Sequence, residues 1–115
     1  MMALMGQDVS QPSEPSGVLR TKALRALRAR EHALRAKGVA GLALFGSIAR
    51  GEAGSASDVD LVLELDQSAA LGLLDLVDLK ETLAEELGRP VDIAFRSRLR
   101  PWFAAQIAPD LVRVF

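Results

Sequence analysis

Three short apolar segments of the chain have the length and boundaries of β-strands. The first, Val39–Phe45, is apolar throughout and lies between glycines. The second, Val59–Leu65, alternates leucines with acidic residues and valine, which is the period of two expected of a strand with one buried face. The third, Val91–Phe95, follows a Gly-Arg-Pro stop signal. The pattern therefore predicts three strands separated by longer connections.

The segments between these strands show the wider period of amphipathic helices. Leucines and alanines recur at helical spacing over residues 17–37, and Gly38 supplies the stop that ends a helix there. Residues 68–87 repeat the pattern and predict a second long helix. The tail from Arg96 predicts a last helix, broken near Pro109.

The chain divides into a short leader and one domain. Residues 1–16 are rich in Gln, Ser and Pro and lack apolar periodicity, so we expect a flexible N-terminal leader. Residues 17–115 have room for one compact core. The chain has no cysteine, which excludes disulfides, thiolate zinc sites and cysteine nucleophiles, and no apolar stretch reaches the length of a membrane span. We expect a cytoplasmic protein with no membrane partner.

The first predicted helix is strongly basic. Residues 17–37 hold half of the 14 lysines and arginines of the chain, although the formal net charge is −1. That net charge provides no global attraction for nucleic acid. Two interpretations of the basic helix remain open: a solvated helix face, or a docking surface for an acidic partner or RNA.

Three aspartates are predicted to meet at one edge of the sheet. Asp58 and Asp60 are two residues apart at the start of the second strand, so the pleat directs both carboxylates to the same side. The long connection to the third strand allows a crossover helix, which would make the two strands parallel neighbours. Asp92, near the start of the third strand, then lies beside the first two carboxylates.

Such a group of carboxylates favours hard divalent cations, and magnesium accepts a few acids together with water and phosphate oxygens. We therefore expect Asp58 and Asp60 to hold two Mg²⁺ ions, with Asp92 as a further ligand that favours deprotonation of an attacking hydroxyl. The implied reaction is an in-line transfer of a phosphoryl or nucleotidyl group. Glu64 and Asp66 lie too far along the strand to take part.

A candidate phosphate-binding turn precedes these acids. Gly46 and Ser47 follow the first strand, and glycine lets backbone approach a phosphate closely while the serine hydroxyl adds a hydrogen bond. We expect residues 48–50 to form a short helical turn with Ser47 as its cap. The sequence lacks the lysine of a P-loop, and Val62-Leu63 breaks the pattern of a calcium loop.

These motifs resemble a known family. Gly46-Ser47, ten intervening residues and Asp58-Val59-Asp60 are similar to the nucleotidyltransferase signature of the DNA polymerase beta superfamily. The fuller run, from Phe45 through Ala53, Ser57–Leu61 and Val91–Ile93, most resembles the minimal nucleotidyltransferases of the MntA type, over about residues 17–115.

The resemblance implies an α+β fold of two layers, with a small mixed sheet and helices packed on one face. It also implies two magnesium ions and a nucleoside triphosphate, ATP, bound through Gly46, Ser47, Arg50 and Ser57. Many members of this family are antitoxins that transfer AMP to a tyrosine hydroxyl on a HEPN ribonuclease toxin. The chain contains no tyrosine, so such an acceptor would belong to another molecule.

Some alternatives stay open at this point. Arg50 could contact phosphate or pair with Glu52 to shape the loop. Trp102 and Phe103 could form a partner-binding or RNA-stacking edge, but we expect them to close the small core. The protein could also neutralise a partner by occlusion without catalysis, or transfer nucleotides to RNA ends.

Overall fold

The computed structural model describes residues 16–52, 57–67 and 69–115. The predicted leader, residues 1–16, lies outside the described residues except for Ser16, which begins the first helix. Residues 53–56 and Ser68 also lie outside them.

A four-stranded mixed sheet forms the centre of the domain. Its strands are β1 (Val39–Phe45), β2 (Val59–Leu65), β3 (Val91–Phe95) and β4 (Val112–Arg113), in the order β3-β2-β1-β4. Strand β1 is antiparallel to both of its neighbours, and β2 and β3 are parallel. The three predicted strands and the parallel pairing of β2 with β3 are therefore confirmed.

Five α-helices surround the sheet in the described part of the chain. They are α1 (Ser16–Arg28), α2 (Glu31–Ala36), α3 (Gly46–Arg50), α4 (Leu73–Leu87) and α5 (Pro101–Ile107). Short 3₁₀ turns cover Arg96–Arg98 and Ala108–Asp110. None of the described helices combines the length and the apolar character that crossing a bilayer requires.

The predicted helix over residues 17–37 is wrong in its continuity, because the chain forms α1 and α2 with a turn between them. Arg30 leaves helical geometry, with φ −100° and ψ 4°, and its N–H donates to the Leu27 carbonyl at 3.0 Å, one residue nearer than in an α-helix. The Arg30 guanidinium reaches Glu86 on α4. Glu31 then begins the second helix, where a negative charge in the first turn is favourable.

The second predicted helix begins later than expected, at Leu73 instead of residue 68. The preceding residues bond to the turn before β1: Ala70 N–H donates to the Lys37 carbonyl at 3.0 Å. At the helix start, the Asp75 carboxylate accepts the Gly72 N–H at 2.9 Å, which satisfies a backbone donor that the helix leaves unpaired. Gly88 ends the helix in the left-handed conformation, as the sequence predicts.

The C-terminal tail contains one strand that the sequence pattern did not predict. The predicted last helix is α5, and it gives way to a 3₁₀ turn around Pro109. Strand β4 then pairs with β1, with Leu44 opposite Val112. Two residues are too few to show a period of two, so no sequence signal identifies this strand.

The core lies between the helices and one face of the sheet. Its fully buried side chains come from α1, α3, α4 and the strands β1 and β2: Leu27, Val39, Leu44, Ile48, Val59, Leu61, Leu63 and Leu83. In β2 the residues that alternate with this set include Asp60, which therefore faces away from the helical layer. The α+β fold with a small mixed sheet is confirmed.

Most of the basic side chains of residues 17–37 contact other groups of the protein itself. Arg28 donates to the carbonyl oxygens of Val114, at 3.1 Å, and Arg113, at 3.2 Å, which fixes the C-terminus to α1. Further contacts join Arg20 to the Ala49 carbonyl, Arg30 to Glu86, Arg35 to the Ala40 carbonyl and Lys37 to Asp75. At least five of the seven basic side chains thus hold elements of the fold together.

Candidate active site

Two aspartates lie side by side at the beginning of the parallel strand pair. Asp60 of β2 is in register with Asp92 of β3, and adjacent strands are about 4.8 Å apart. Asp58 lies two residues before Asp60, so the pleat favours the same side of the sheet for its side chain. The structure therefore places the predicted acids at one edge, as the parallel topology requires.

The surroundings of the Asp60 carboxylate disfavour its ionised form. Its partial burial raises its pKa, and the negative charges of Asp92 and Asp58 raise that pKa further. The positive charge of Arg50 acts in the opposite direction. Asp60 is therefore close enough to both other acids for their charges to oppose its ionisation.

The three acids fit a divalent cation in chemistry, although they are not arranged as ligands. Within residues 16–52, 57–67 and 69–115, no group of three or more His, Cys, Asp or Glu side chains already has metal-binding geometry. Carboxylate oxygens are nevertheless the ligands that Mg²⁺ prefers, and a cation would offset the repulsion that raises the pKa of Asp60. Asp58, Asp60 and Asp92 as the metal ligands stay a prediction.

Gly46 packs directly against the Asp60 carboxylate. Its φ of +80° lies in the left-handed region that favours glycine. A Cβ at this position would collide with Asp60 Oδ2 and lie 3.3 Å from its Cγ. The preceding residue, Phe45, is opposite Asp60 in the register of β1 and β2. Glycine is therefore the residue that lets this turn approach the acid.

Ser47 does not cap the short helix α3, so that prediction is wrong. The helix begins at Gly46, its cap residue is Phe45 in extended conformation, and no side chain accepts a hydrogen bond there. Ser47 lies in the first turn instead, because the helix begins one residue earlier, at Gly46. The predicted contact of Gly46 and Ser47 with phosphate is not tested by this geometry and stays a prediction.

Arg50 joins the turn to the C-terminal segment. Its guanidinium donates to Glu52 at 3.0 Å and to Asp110 at 3.1 Å, and these hydrogen bonds raise its pKa. This arrangement agrees with the loop-shaping interpretation of Arg50. Asp110 is a functional neighbour that the sequence analysis missed, since 60 residues separate the two and no local pattern relates them.

Ser57 lies at the end of the loop before β2. Its carbonyl oxygen accepts a hydrogen bond from Arg89 Nη1 at 3.1 Å, and the residue is half-buried. This contact fixes the backbone just before Asp58. The role of Ser57 in binding a nucleotide stays a prediction.

Trp102 is not a core residue, contrary to expectation. Its side chain is 64% exposed, while Phe103 is half-buried and packs edge-on against Phe45. Pro101 begins α5 immediately before Trp102, and the buried residue of this seven-residue helix is Ile107 at its other end. Only part of the surface of this short helix packs against the sheet, and Trp102 lies on the remaining part.

The fold is that of a nucleotidyltransferase. The family described as the nucleotidyltransferase domain matches residues 24–113, so the chain belongs to that family. The match includes all of the predicted site residues.

Two similar proteins from archaea are named for the same chemistry. A protein of Methanocaldococcus jannaschii, provisionally named a protein adenylyltransferase, is 38% identical over 77 residues, which cover 67% of this chain and 81% of that protein. The protein adenylyltransferase MntA of Thermococcus cleftensis is 35% identical over 77 residues, covering 67% and 76% of the two chains. The predicted resemblance to MntA-type nucleotidyltransferases is confirmed.

A solved structure has the same fold at lower identity. It is a complex of the tri-AMPylated HEPN toxin of Shewanella oneidensis with its MNT antitoxin. One chain of it superposes with a TM-score of 0.55 at 17% identity, covering 80% of this chain and 71% of that chain.

Proposed function

We propose that this protein is an antitoxin that transfers AMP from ATP to a tyrosine hydroxyl of a HEPN ribonuclease toxin, with magnesium. The observation that carries the proposal is the register pairing of Asp60 with Asp92 beside the turn at Gly46. The names of the archaeal relatives support a protein as the acceptor. The proposal includes a cytoplasmic location, where such a ribonuclease toxin would act.

The reaction joins the tyrosine oxygen to the α-phosphorus of ATP. The bond from that phosphorus to the oxygen bridging the α- and β-phosphates breaks, and pyrophosphate leaves with that electron pair. Bound divalent cations would lower the pKa of the hydroxyl and stabilise the negative charge of pyrophosphate. Asp92 lies on the exposed side of the pair and favours removal of the hydroxyl proton.

The other residues hold the nucleotide in place. Gly46 and Ser47 offer backbone and hydroxyl donors to the phosphates, and Ser57 lies at the other end of the same loop. Asp58 and Asp60 hold the cations. Arg50 fixes the helix that follows Gly46 and supplies positive charge near Asp60.

The acceptor belongs to another molecule, because this chain has no tyrosine. The solved complex contains an AMPylated HEPN toxin together with an MNT antitoxin, which supports a toxin as the acceptor for this chain also. RNA is a less favoured acceptor, since the net charge of −1 gives no general attraction for polyanions.

The direct test is transfer of label from α-labelled ATP to the toxin encoded beside this protein. We expect label on the toxin when magnesium is present, and its loss when a chelator is added. Replacing the acceptor tyrosine of the toxin by phenylalanine should remove the label. Label on RNA ends instead of the toxin, or no transfer with any nucleotide and metal, would contradict the proposal.

A double variant separates catalysis from occlusion. The Asp58→Asn, Asp60→Asn protein should still bind the toxin but should no longer protect cells from it at matched expression. Protection equal to that of the unmodified protein would show that binding alone neutralises the toxin. Asp78→Asn, an exposed acid on α4, is the matched control and should protect normally.

A further inference from the structure

The one tryptophan of the chain is exposed beside the candidate active site. Trp102 is 64% exposed on α5, whereas core packing would bury most of an indole. An exposed aromatic ring offers a face on which a base can stack. The proposed function assigns it no role.

A chain of aromatic contacts connects Trp102 to the catalytic edge. The ring of Trp102 lies 5.6 Å from that of Phe103, and Phe103 lies 6.0 Å from Phe45, with both pairs edge-to-face. Phe45 is in register with Asp60 and directly precedes Gly46. The aromatic series therefore runs outward from the acids on their own side of the sheet.

A hydrogen bond between side chains also fixes the position of Trp102 relative to the turn at Gly46. The Arg50 guanidinium, at the end of α3, donates to Asp110 in the turn that follows α5, at 3.1 Å. Phe103 thus contacts Phe45 from α5 itself, and Asp110 contacts Arg50 from the turn that follows α5. An exposed ring held this way is preorganised for a ligand bound at the same turn.

The indole also has an open face. The edge-to-face geometry with Phe103, at 77°, does not cover both faces of the Trp102 ring. In the part of the chain that the structure describes, the arginines over aromatic rings are Arg35 over Phe115 and Arg98 over Phe95, so neither covers Trp102.

We propose that Trp102 is the stacking platform for the adenine ring of the nucleotide whose phosphates meet Gly46 and Ser47. The inference rests on the proposed function and adds a base-binding residue to it. Stacking suits every purine, so the platform provides affinity for the base and favours purines over pyrimidines. A contact with the acceptor protein is the competing use of this ring.

Because Trp102 is the one tryptophan, its fluorescence reports on the proposal directly. Titration with ATP and magnesium should quench the emission, whereas inorganic tripolyphosphate with magnesium should bind without quenching it. Calorimetry should show that Trp102→Ala weakens ATP binding by about tenfold or more, and that Trp102→Phe retains most of the affinity. Tripolyphosphate should bind the unmodified and Trp102→Ala proteins equally.

Leu74→Ala is the matched control, since Leu74 is 83% exposed on α4 and should bind ATP normally. Equal ATP affinity of Trp102→Ala and the unmodified protein would overturn the proposal, including the case in which Trp102→Ala loses only label transfer to the toxin. If the unmodified protein binds neither ATP nor tripolyphosphate, the nucleotidyltransferase site itself fails, and the stacking proposal fails with it.

Discussion

At the scale of single residues, Gly46 and Asp60 pack so closely that Asp60 leaves no space for a side chain at position 46. A side chain at Gly46 would meet both the cost of a left-handed backbone and the Asp60 carboxylate. We expect Gly46→Ala to destabilise the fold by more than the roughly 1–2 kcal/mol of the backbone alone, and to impair label transfer because Asp60 must move.

The matched control is Gly88→Ala. Gly88 has φ +68° and open space where its Cβ would lie, so this variant measures the backbone cost by itself. Chemical denaturation of both variants gives the difference. Equal losses of unfolding free energy would show that Gly46 does not crowd Asp60.

The ionised form of Asp60 is unfavourable for the stability of the fold. Its burial and the charges of Asp92 and Asp58 oppose its ionisation, and removing the charge should relieve that repulsion. We expect Asp60→Asn to raise the Tm in metal-free buffer while reducing label transfer roughly a thousandfold.

Thermal melts without and with magnesium and ATP test this expectation. The ligands should raise the Tm of the unmodified protein and leave that of Asp60→Asn almost unchanged. The control Asp78→Asn should follow the unmodified protein in both conditions. An Asp60→Asn protein with full activity would refute its assignment to the site.

At the scale of elements, Asp75 anchors the start of α4. It accepts the Gly72 N–H at 2.9 Å and the Lys37 ammonium at 3.0 Å, which together hold the pKa of Asp75 below its ordinary value. The folded state thus favours the ionised form. This contribution is present at neutral pH and is lost as the pH falls through the lowered pKa.

We therefore expect Asp75→Asn to lower the Tm by a few degrees at pH 7, with the deficit shrinking as the pH falls below about 4. Melts across this range check the result, with Glu81→Gln on the exposed side of α4 as the control. A Tm deficit that persists unchanged into acid would exclude the ionised carboxylate as its cause.

A second anchor joins α1 to the C-terminus. Arg28 bonds to the Val114 and Arg113 carbonyls, and β4 contributes few other contacts because it has two residues. Arg28→Ala should increase hydrogen exchange of the Val114 and Phe115 amides, which donate to the Leu42 carbonyl. Arg25→Ala, an exposed arginine of the same helix, should leave that exchange unchanged.

The sequence pattern predicts the elements whose own residues show both an apolar period and clear boundaries. Strands β1, β2 and β3 have a clear apolar pattern, and β1 and β3 also have a glycine or proline boundary; the bounds of all three match. The break at Arg30 accompanies instead a contact with Glu86, which is distant in sequence. Strand β4 exists because β1 offers a free edge, and a two-residue segment carries no period of its own.

At the scale of the whole molecule, the candidate site also contains some features that local sequence predicts and others that only tertiary contacts determine. The position of Asp58, Asp60 and Asp92 at one edge of the sheet can be predicted, because the local sequence indicates both the alternation of the strand and the parallel pairing. The Arg50–Asp110 pair and the exposure of Trp102 were not, since both result from how the tail returns to the sheet. No regular sequence spacing predicts tertiary contacts of this kind.

Charge is the property of the whole molecule that bears on the choice between toxin and RNA. The basic segment has much of its charge paired with acids or bonded to carbonyls, and the net charge is −1. Most cations of this segment are therefore engaged within the protein, which leaves Arg96, Arg98 and Arg100 of the tail among the exposed cations. Any affinity for RNA should be weak and should depend on a small number of phosphate contacts.

We expect filter binding with labelled RNA to give weak retention at about 50 mM salt and almost none at about 200 mM. Arg25→Ala should lower that weak retention slightly, because Arg25 is exposed on α1, whereas Arg28→Ala should act only through the C-terminus. Toxin labelling should persist across the same salt range if apolar contacts dominate the protein complex. RNA retention that survives the higher salt, together with label at RNA ends, would make RNA the acceptor and the toxin assignment wrong.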